Sequence, residues 1–204
     1  MFKNKRGNSI IEVMVVILIL ITGIIGTYGI LDGGQKLSST SENRIRAINI
    51  AREGMESVEN IRDTNWVKFS SDYGNCWDVK DYNANCIGNP GNRFPVGSYI
   101  LVQSGTLWTL SGTITPSGTY GTYITQFPVF LDSNGLTTYS GSSVGCTSSK
   151  TVDCKTIFTR EIRINYPSND HMEVNSIVTW KDSSGSSPHS IDLETVLTNW
   201  KKEF

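Results

Sequence analysis

The chain has 204 residues and carries 18 lysines and arginines against 19 aspartates and glutamates, a formal net charge of −1. That length allows one membrane helix and one modest outer domain, and the balanced charge excludes a global field that would draw nucleic acid or an acidic surface. Mean hydropathy is −0.21 despite a long apolar run near the start, so the remainder is distinctly polar.

The start reads Met1-Phe2-Lys3-Asn4-Lys5-Arg6-Gly7, then Asn8-Ser9-Ile10-Ile11-Glu12, then an uncharged apolar stretch over 13–31. As a helix that stretch rises about 28 Å at 1.5 Å per residue, close to the ~30 Å hydrocarbon core of a bilayer. It is longer than the apolar core of a secretory signal peptide, and no small-x-small cleavage site follows it. Lys3, Lys5 and Arg6 place the amino terminus in the cytoplasm and everything after the helix outside. A plain single-pass anchor accounts for the length. It does not account for Gly7 just ahead of the segment, or for Glu12, a carboxylate that is costly inside a membrane unless a positive partner meets it.

Basic leader, Gly7, Glu12 and apolar length together resemble the amino-terminal signal of type IV prepilins and type II secretion pseudopilins. The resemblance covers residues 3–31. In that family a membrane peptidase cuts after the glycine, and the fifth residue of the mature chain is a glutamate. Gly7 matches the cleavage glycine, and Glu12 is fifth counting from Asn8. The family's first mature residue is usually Phe, whereas here it is Asn8. The resemblance implies a filament subunit whose Glu12 pairs with the amine of a neighbour. Its partners are other pilin subunits, the prepilin peptidase, a membrane platform protein, an assembly ATPase and the lipid bilayer. It also implies a pilin-like α+β fold, in which a long amino-terminal helix, transmembrane in its first half and amphipathic in its second, packs on a carboxy-terminal antiparallel sheet.

Within the apolar run Gly23, Gly26 and Gly29 recur every third residue, each costing about 1 kcal/mol against Ala in a helix. They form either a small-residue face for close helix packing or a weak point that melts on leaving lipid. After Asp32-Gly33-Gly34, residues 35–62 show helical spacing through Leu37, Ile45, Ile48, Ala51, Met55, Val58 and Ile61, one stripe of an amphipathic helix. Glu42, Arg46, Arg52, Glu53, Glu56, Glu59 and Arg62 occupy the other face and read as solvated. Asp63-Thr64-Asn65 is a turn-prone helix stop.

Strands dominate the rest. Residues 98–104 and 107–110 bracket a turn at Gly105, and 127–131 and 136–139 flank Asp132-Ser133-Asn134-Gly135 as a hairpin. Alternation through Phe158, Ile162, Ile164 and Tyr166, then Met172, Val174, Ser176, Val178 and Trp180, then Ile191, Leu193, Thr195 and Leu197 predicts an antiparallel meander with one face against the long helix. Trp77, Trp108, Trp180 and Trp200 supply bulk for a core. The organisation is a leader at 1–7, a membrane or filament-core helix at 8–31, its amphipathic continuation at 32–65 and an outer β-rich domain at 66–204.

Cys76, Cys86, Cys146 and Cys154 all fall outside the membrane in this topology and are disulfide candidates with three connectivities. Neither neighbouring pair has the close spacing of a zinc site. Gly141-Ser142-Ser143-Val144-Gly145 matches a nucleophile elbow, but it lacks the buried strand before and the helix after that such a turn needs. His171 and His189 have no ligand spacing, and no phosphate-binding loop is present. Gly118-Thr119-Tyr120-Gly121-Thr122-Tyr123 is a small duplication that reads as a surface loop, its tyrosines free to meet sugar or another subunit. No enzyme, cofactor or metal is indicated. The expected function is a structural subunit of a type IV pilus-like filament. The alternatives are a type II secretion pseudopilin and a static membrane-anchored extracellular binding module.

Overall fold

Sixty residues of unbroken helix, α1 (Ser9–Lys68), lead into the protein in a computed structural model that describes residues 9–89, 93–116, 118–132, 137–138, 145–146, 154–182 and 187–203. The chain divides into two compact units, Met1–Arg44 and Ile45–Phe204, and α1 contributes to both. In the first unit every large apolar side chain from Ile10 to Leu37 is exposed.

The second unit contains the rest of α1 and an antiparallel sheet. After α1 come α2 (Tyr73–Cys76) and two single 3₁₀ turns, Lys80–Tyr82 and Ala84–Cys86. Then follow β1 (Gly97–Ser104), β2 (Leu107–Ile114), α3 (Tyr120–Gln126), β3 (Pro128–Leu131), β4 (Thr137–Thr138), β5 (Cys154–Ser168), β6 (His171–Trp180) and β7 (His189–Thr198), with a last 3₁₀ turn at Trp200–Glu203. β5, β6 and β7 form the predicted meander; β5 and β6 are in register from Phe158↔Trp180 to Asn165↔Glu173 and shift before Ser168↔His171, and β6 and β7 are in register from His171↔Thr198 to Trp180↔His189. β6 occupies one edge of β5. The other edge is shared, since β1 pairs with Ile162–Ile164 through Gly97–Tyr99, and β3 pairs further back, at Pro128↔Thr159 and Leu131↔Cys154.

Helix and sheet meet through small residues. Ala47, Ile50, Ala51, Ser57, Val58, Ile61 and Asn65 of α1 are buried, at the three- and four-residue spacing of one helical face. A side chain added at Gly54 runs into Ser176 and Ile162 of the sheet. The buried stripe thus keeps Ala51, Val58 and Ile61 of the expected one but is turned toward Ala47, Gly54 and Ser57. Leu37 and Ile45 are exposed, and Ile48 and Met55 are only half-buried. The reason is distance, because a close helix–sheet approach needs alanine, glycine and serine at the seam.

Against that seam pack Phe158, Ile162, Ile164, Val174 and Val178, joined by Tyr99, Leu101, Leu110, Trp66 and Trp77. Each large apolar side chain taken wholly from water is worth roughly 1.5–3 kcal/mol. Arg160 lies on the same buried face. Its side chain is 1 % exposed, with Nη1 3.1 Å from Glu53 Oε2 and donating to Ile50 O at 3.2 Å. Glu53, expected on the solvated face, also accepts from Thr137 Oγ1. The ion pair holds it under the sheet.

Three other expectations are corrected. The helix does not stop at Asp63-Thr64-Asn65 but runs to Lys68, because Asn65 turns inward and donates to Trp77 O at 3.2 Å and Val79 O at 3.0 Å. The duplicated tyrosines are not a loop: Tyr120–Gln126 is helical, and Tyr120 Oη donates to Ile157 O. Trp200 is 57 % exposed, lying edge-on to the buried Trp66 at 5.3 Å. Leu136, Tyr139 and the turn residues Ser133-Asn134-Gly135 lie outside the described residues, while Thr137 and Thr138 pair with Leu131 and Phe130 as expected of a hairpin.

Candidate functional site

The feature that sets this chain apart is the first part of α1, where sequence and exposure conflict with water. Residues 13–31 hold no charge, and none of the apolar span is covered by protein. It is a candidate membrane span by length and composition. Its two threonine hydroxyls bond back into the helix. Thr22 Oγ1 donates to Leu18 O and Ile19 O at 3.0 Å, and Thr27 Oγ1 donates to Gly23 O at 2.8 Å. This local bonding lets a hydroxyl sit in an apolar surrounding without an external partner.

Glu12 stands in the first turn, exposed, next to the main-chain N–H groups that a helix start leaves without intrahelical partners. The turn can thus carry a carboxylate, but among the described residues no cation is paired with it. Gly7 and Asn8, the residues at the expected cleavage point, lie outside the described residues. At Gly23, Gly26 and Gly29 an added side chain meets nothing within 4 Å, and α1 continues through them without a break. Past the span, Lys36 Nζ and Asp32 Oδ2 pair at 2.7 Å across one turn.

In the second unit the chemistry-bearing residues are structural. Cys76 bonds Cys86 and Cys146 bonds Cys154, so each bridge joins sequence neighbours. Asp72 caps α2 and ties its loop, accepting from Asn75 N at 3.1 Å and Gly88 N at 2.8 Å. Those donors, Gly88 first, hold its carboxyl below the ordinary range. Asp78 is 4 % exposed. Its Oδ2 makes no hydrogen bond, and Arg93 Nε stands 3.7 Å away. Burial pushes this carboxyl up to about 6, against the pull of Arg93. The Arg93 guanidinium also lies over the Tyr166 ring at 4.6 Å. Burial and the nearby Asp78 raise the Tyr166 phenol.

His171 Nδ1 is 2.7 Å from Ser168 Oγ, and His189 Nε2 is 3.4 Å from Asp182. Among the described residues no three His, Cys, Asp or Glu side chains converge on a metal position. Residues 141–144 of the elbow-like motif are outside the described set, while Gly145 bridges to Lys155 in the sheet. The Arg160–Glu53 pair and Asp78 were not singled out as sites from sequence. A basic residue at an inward position of β5 was the available signal for the first.

No protein-family model, curated protein or solved structure matches this chain. Its class rests on its own architecture. Among the described residues there is one candidate membrane span, the apolar start of α1, and the later part of α1 packs on an antiparallel seven-stranded sheet with two disulfides. That α+β arrangement is compatible with a pilin-like fold.

Proposed function

We propose that the protein is a structural subunit of a type IV pilus-like filament, stored as a single-pass membrane protein and cleaved after Gly7. Its amino-terminal helix leaves the bilayer during assembly and packs with others in a filament core. Glu12 there meets the freed amine of Asn8 on a neighbour. The observation that carries the reading is Glu12 itself, an exposed carboxylate in the first turn ahead of an uncharged, uncovered apolar helix. In a low-dielectric core an unpaired carboxylate is costly, so the pair selects register as well as adding affinity. The amino terminus faces the cytoplasm and the sheet domain faces outward. Force for assembly comes from a separate ATPase and platform protein, and the subunit performs no catalysis.

Intact mass and amino-terminal sequence of the protein from native membranes form the first test. A chain starting at Asn8 supports the subunit. A chain starting at Met1 or Phe2, in cells with active prepilin peptidase, removes the partner of Glu12 and leaves a static anchored module. Glu12→Val should insert and be processed normally yet fail to enter filaments. Normal incorporation of that variant refutes the pairing.

A further inference from the structure

The shared edge of β5 opens a cleft. Beyond Tyr99, β1 leaves β5, and β3 takes over the edge from Thr159 backward. The end of the β1–β2 hairpin, where Gln103 and Trp108 are cross-strand partners, therefore lines one side of a gap, with Leu131 and Thr137 among its other lining residues. α1 completes it through Arg46, Asn49, Ile50 and Glu53, spaced at three, four and seven on one helical face. The cleft measures ≈ 590 Å³, within the range of about 300–1,000 Å³ usual for small-molecule sites.

We infer that this cleft binds a neutral saccharide. Its base is apolar, with Ile50 and Phe158 buried. Half-buried Trp108 adds an aromatic surface, suited to a ligand that is apolar on one side and polar on its rim. The carboxylate of Glu53 is already matched within the protein by Arg160, so the lining presents no unanswered carboxylate to a ligand. The exposed carboxamides of Asn49 and Gln103 both donate and accept, which matches hydroxyl groups that do the same.

Trp108 is also held in place. Tyr82 Oη donates to Trp108 O at 2.5 Å, and Tyr82 sits on the loop closed by Cys76–Cys86. Asp81 and Tyr82 hold φ of 58° and 52°, a backbone region that non-glycine residues adopt at a cost and keep only when surroundings enforce it. A rigid aromatic wall lowers the ordering cost of binding.

The inference is independent of the filament reading, since every residue it uses lies in the second unit. The test uses the full chain in a zwitterionic detergent without sugar headgroups, because maltosides and glucosides compete. Lactose, cellobiose and diacetylchitobiose are titrated by saturation-transfer NMR and calorimetry, with sialyllactose as the charged comparison. At least one neutral disaccharide binds with a dissociation constant of about 1 mM or tighter. Trp108→Ala weakens it about tenfold or more, and so does the double variant Asn49→Ala/Gln103→Ala. The double variant changes only exposed side chains, so it decides the matter if Trp108→Ala fails to fold. Absence of binding by all three, binding unchanged in the double variant, or tighter binding of sialyllactose than lactose overturns the assignment.

Discussion

Gly54→Ala tests how closely the helix lies on the sheet. At an open helix position this change stabilises by about 1 kcal/mol, because glycine is the more costly residue there. At Gly54 the new methyl overlaps Ser176 Oγ and comes within 2.9 Å of Ile162 Cδ1 and 3.1 Å of Arg160 Cδ. None of the three can move cheaply. Ser176 and Ile162 are fully buried, and Arg160 is tied to Glu53. Overpacking in such a core costs roughly 1–3 kcal/mol. Taking the upper part of that range and subtracting the propensity gain leaves a net loss of about 1–2 kcal/mol. For a domain of this size the thermal midpoint falls by several degrees.

Unfolding followed by circular dichroism and tryptophan fluorescence on the detergent-solubilised chain reads that loss. Ser176 Oγ makes no hydrogen bond, so Ser176→Ala alone is close to neutral. In the Gly54→Ala background it removes the worst overlap and restores half or more of the stability. Such coupling between touching side chains is what a double-mutant cycle isolates. A Gly54→Ala chain as stable as the parent, or a cycle without coupling, refutes the close seam.

Asp78 makes stability depend on pH. Its carboxyl is raised from 3.8 to about 6 in the fold, so the folded state holds the proton more tightly than the unfolded one. Its contribution is greatest below about pH 4, falls as pH rises to about 6 and is flat above, amounting to roughly 3 kcal/mol. Asp72, depressed by its donors, works in the opposite sense and loses its contribution on acidification. Asp78→Asn flattens the limb between pH 4 and 6 and raises stability at neutral pH, and an unchanged slope in denaturant titrations contradicts this. Opening the Cys76–Cys86 bridge by alanine substitution of both residues costs about 2–3 kcal/mol by loop entropy. It also loosens the Tyr82 support of Trp108, so saccharide affinity falls with it. Equal stability of parent and variant in denaturant excludes the first effect.

Where large apolar residues alternate, the sequence announced the architecture. The meander of β5, β6 and β7 was legible because strict period two fits a half-buried strand and not a helix. The apolar start of α1 was legible because so long an uncharged run fits a span. The helix–sheet seam was legible only in part: Ala51, Val58 and Ile61 of the expected stripe are buried, but Ala47, Gly54 and Ser57 carry little hydrophobic signal and the conspicuous Leu37 and Ile45 remain exposed. Burial of Arg160 depends on a glutamate 107 positions earlier in the chain, and no local pattern encodes such a pair. Asn65 misled for a related reason. A residue that usually ends helices instead hydrogen-bonds a loop that closes over it. The cleft was invisible, because it arises from two strands sharing one edge of β5.

β7 has β6 on one side and, among the described residues, nothing on the other. A ten-residue strand of this kind presents main-chain donors and acceptors to any second copy that drifts alongside. Wherever copies of the chain are concentrated, edge-to-edge zippering becomes a hazard. Asp192 and Glu194 sit two apart on β7, both reached by Asn175 Nδ2 at 3.2 and 3.4 Å. Two copies pairing through β7 bring these carboxylates together, and like charges across paired strands repel. The strand that closes the sheet thereby also keeps neighbouring copies of the chain from sticking together.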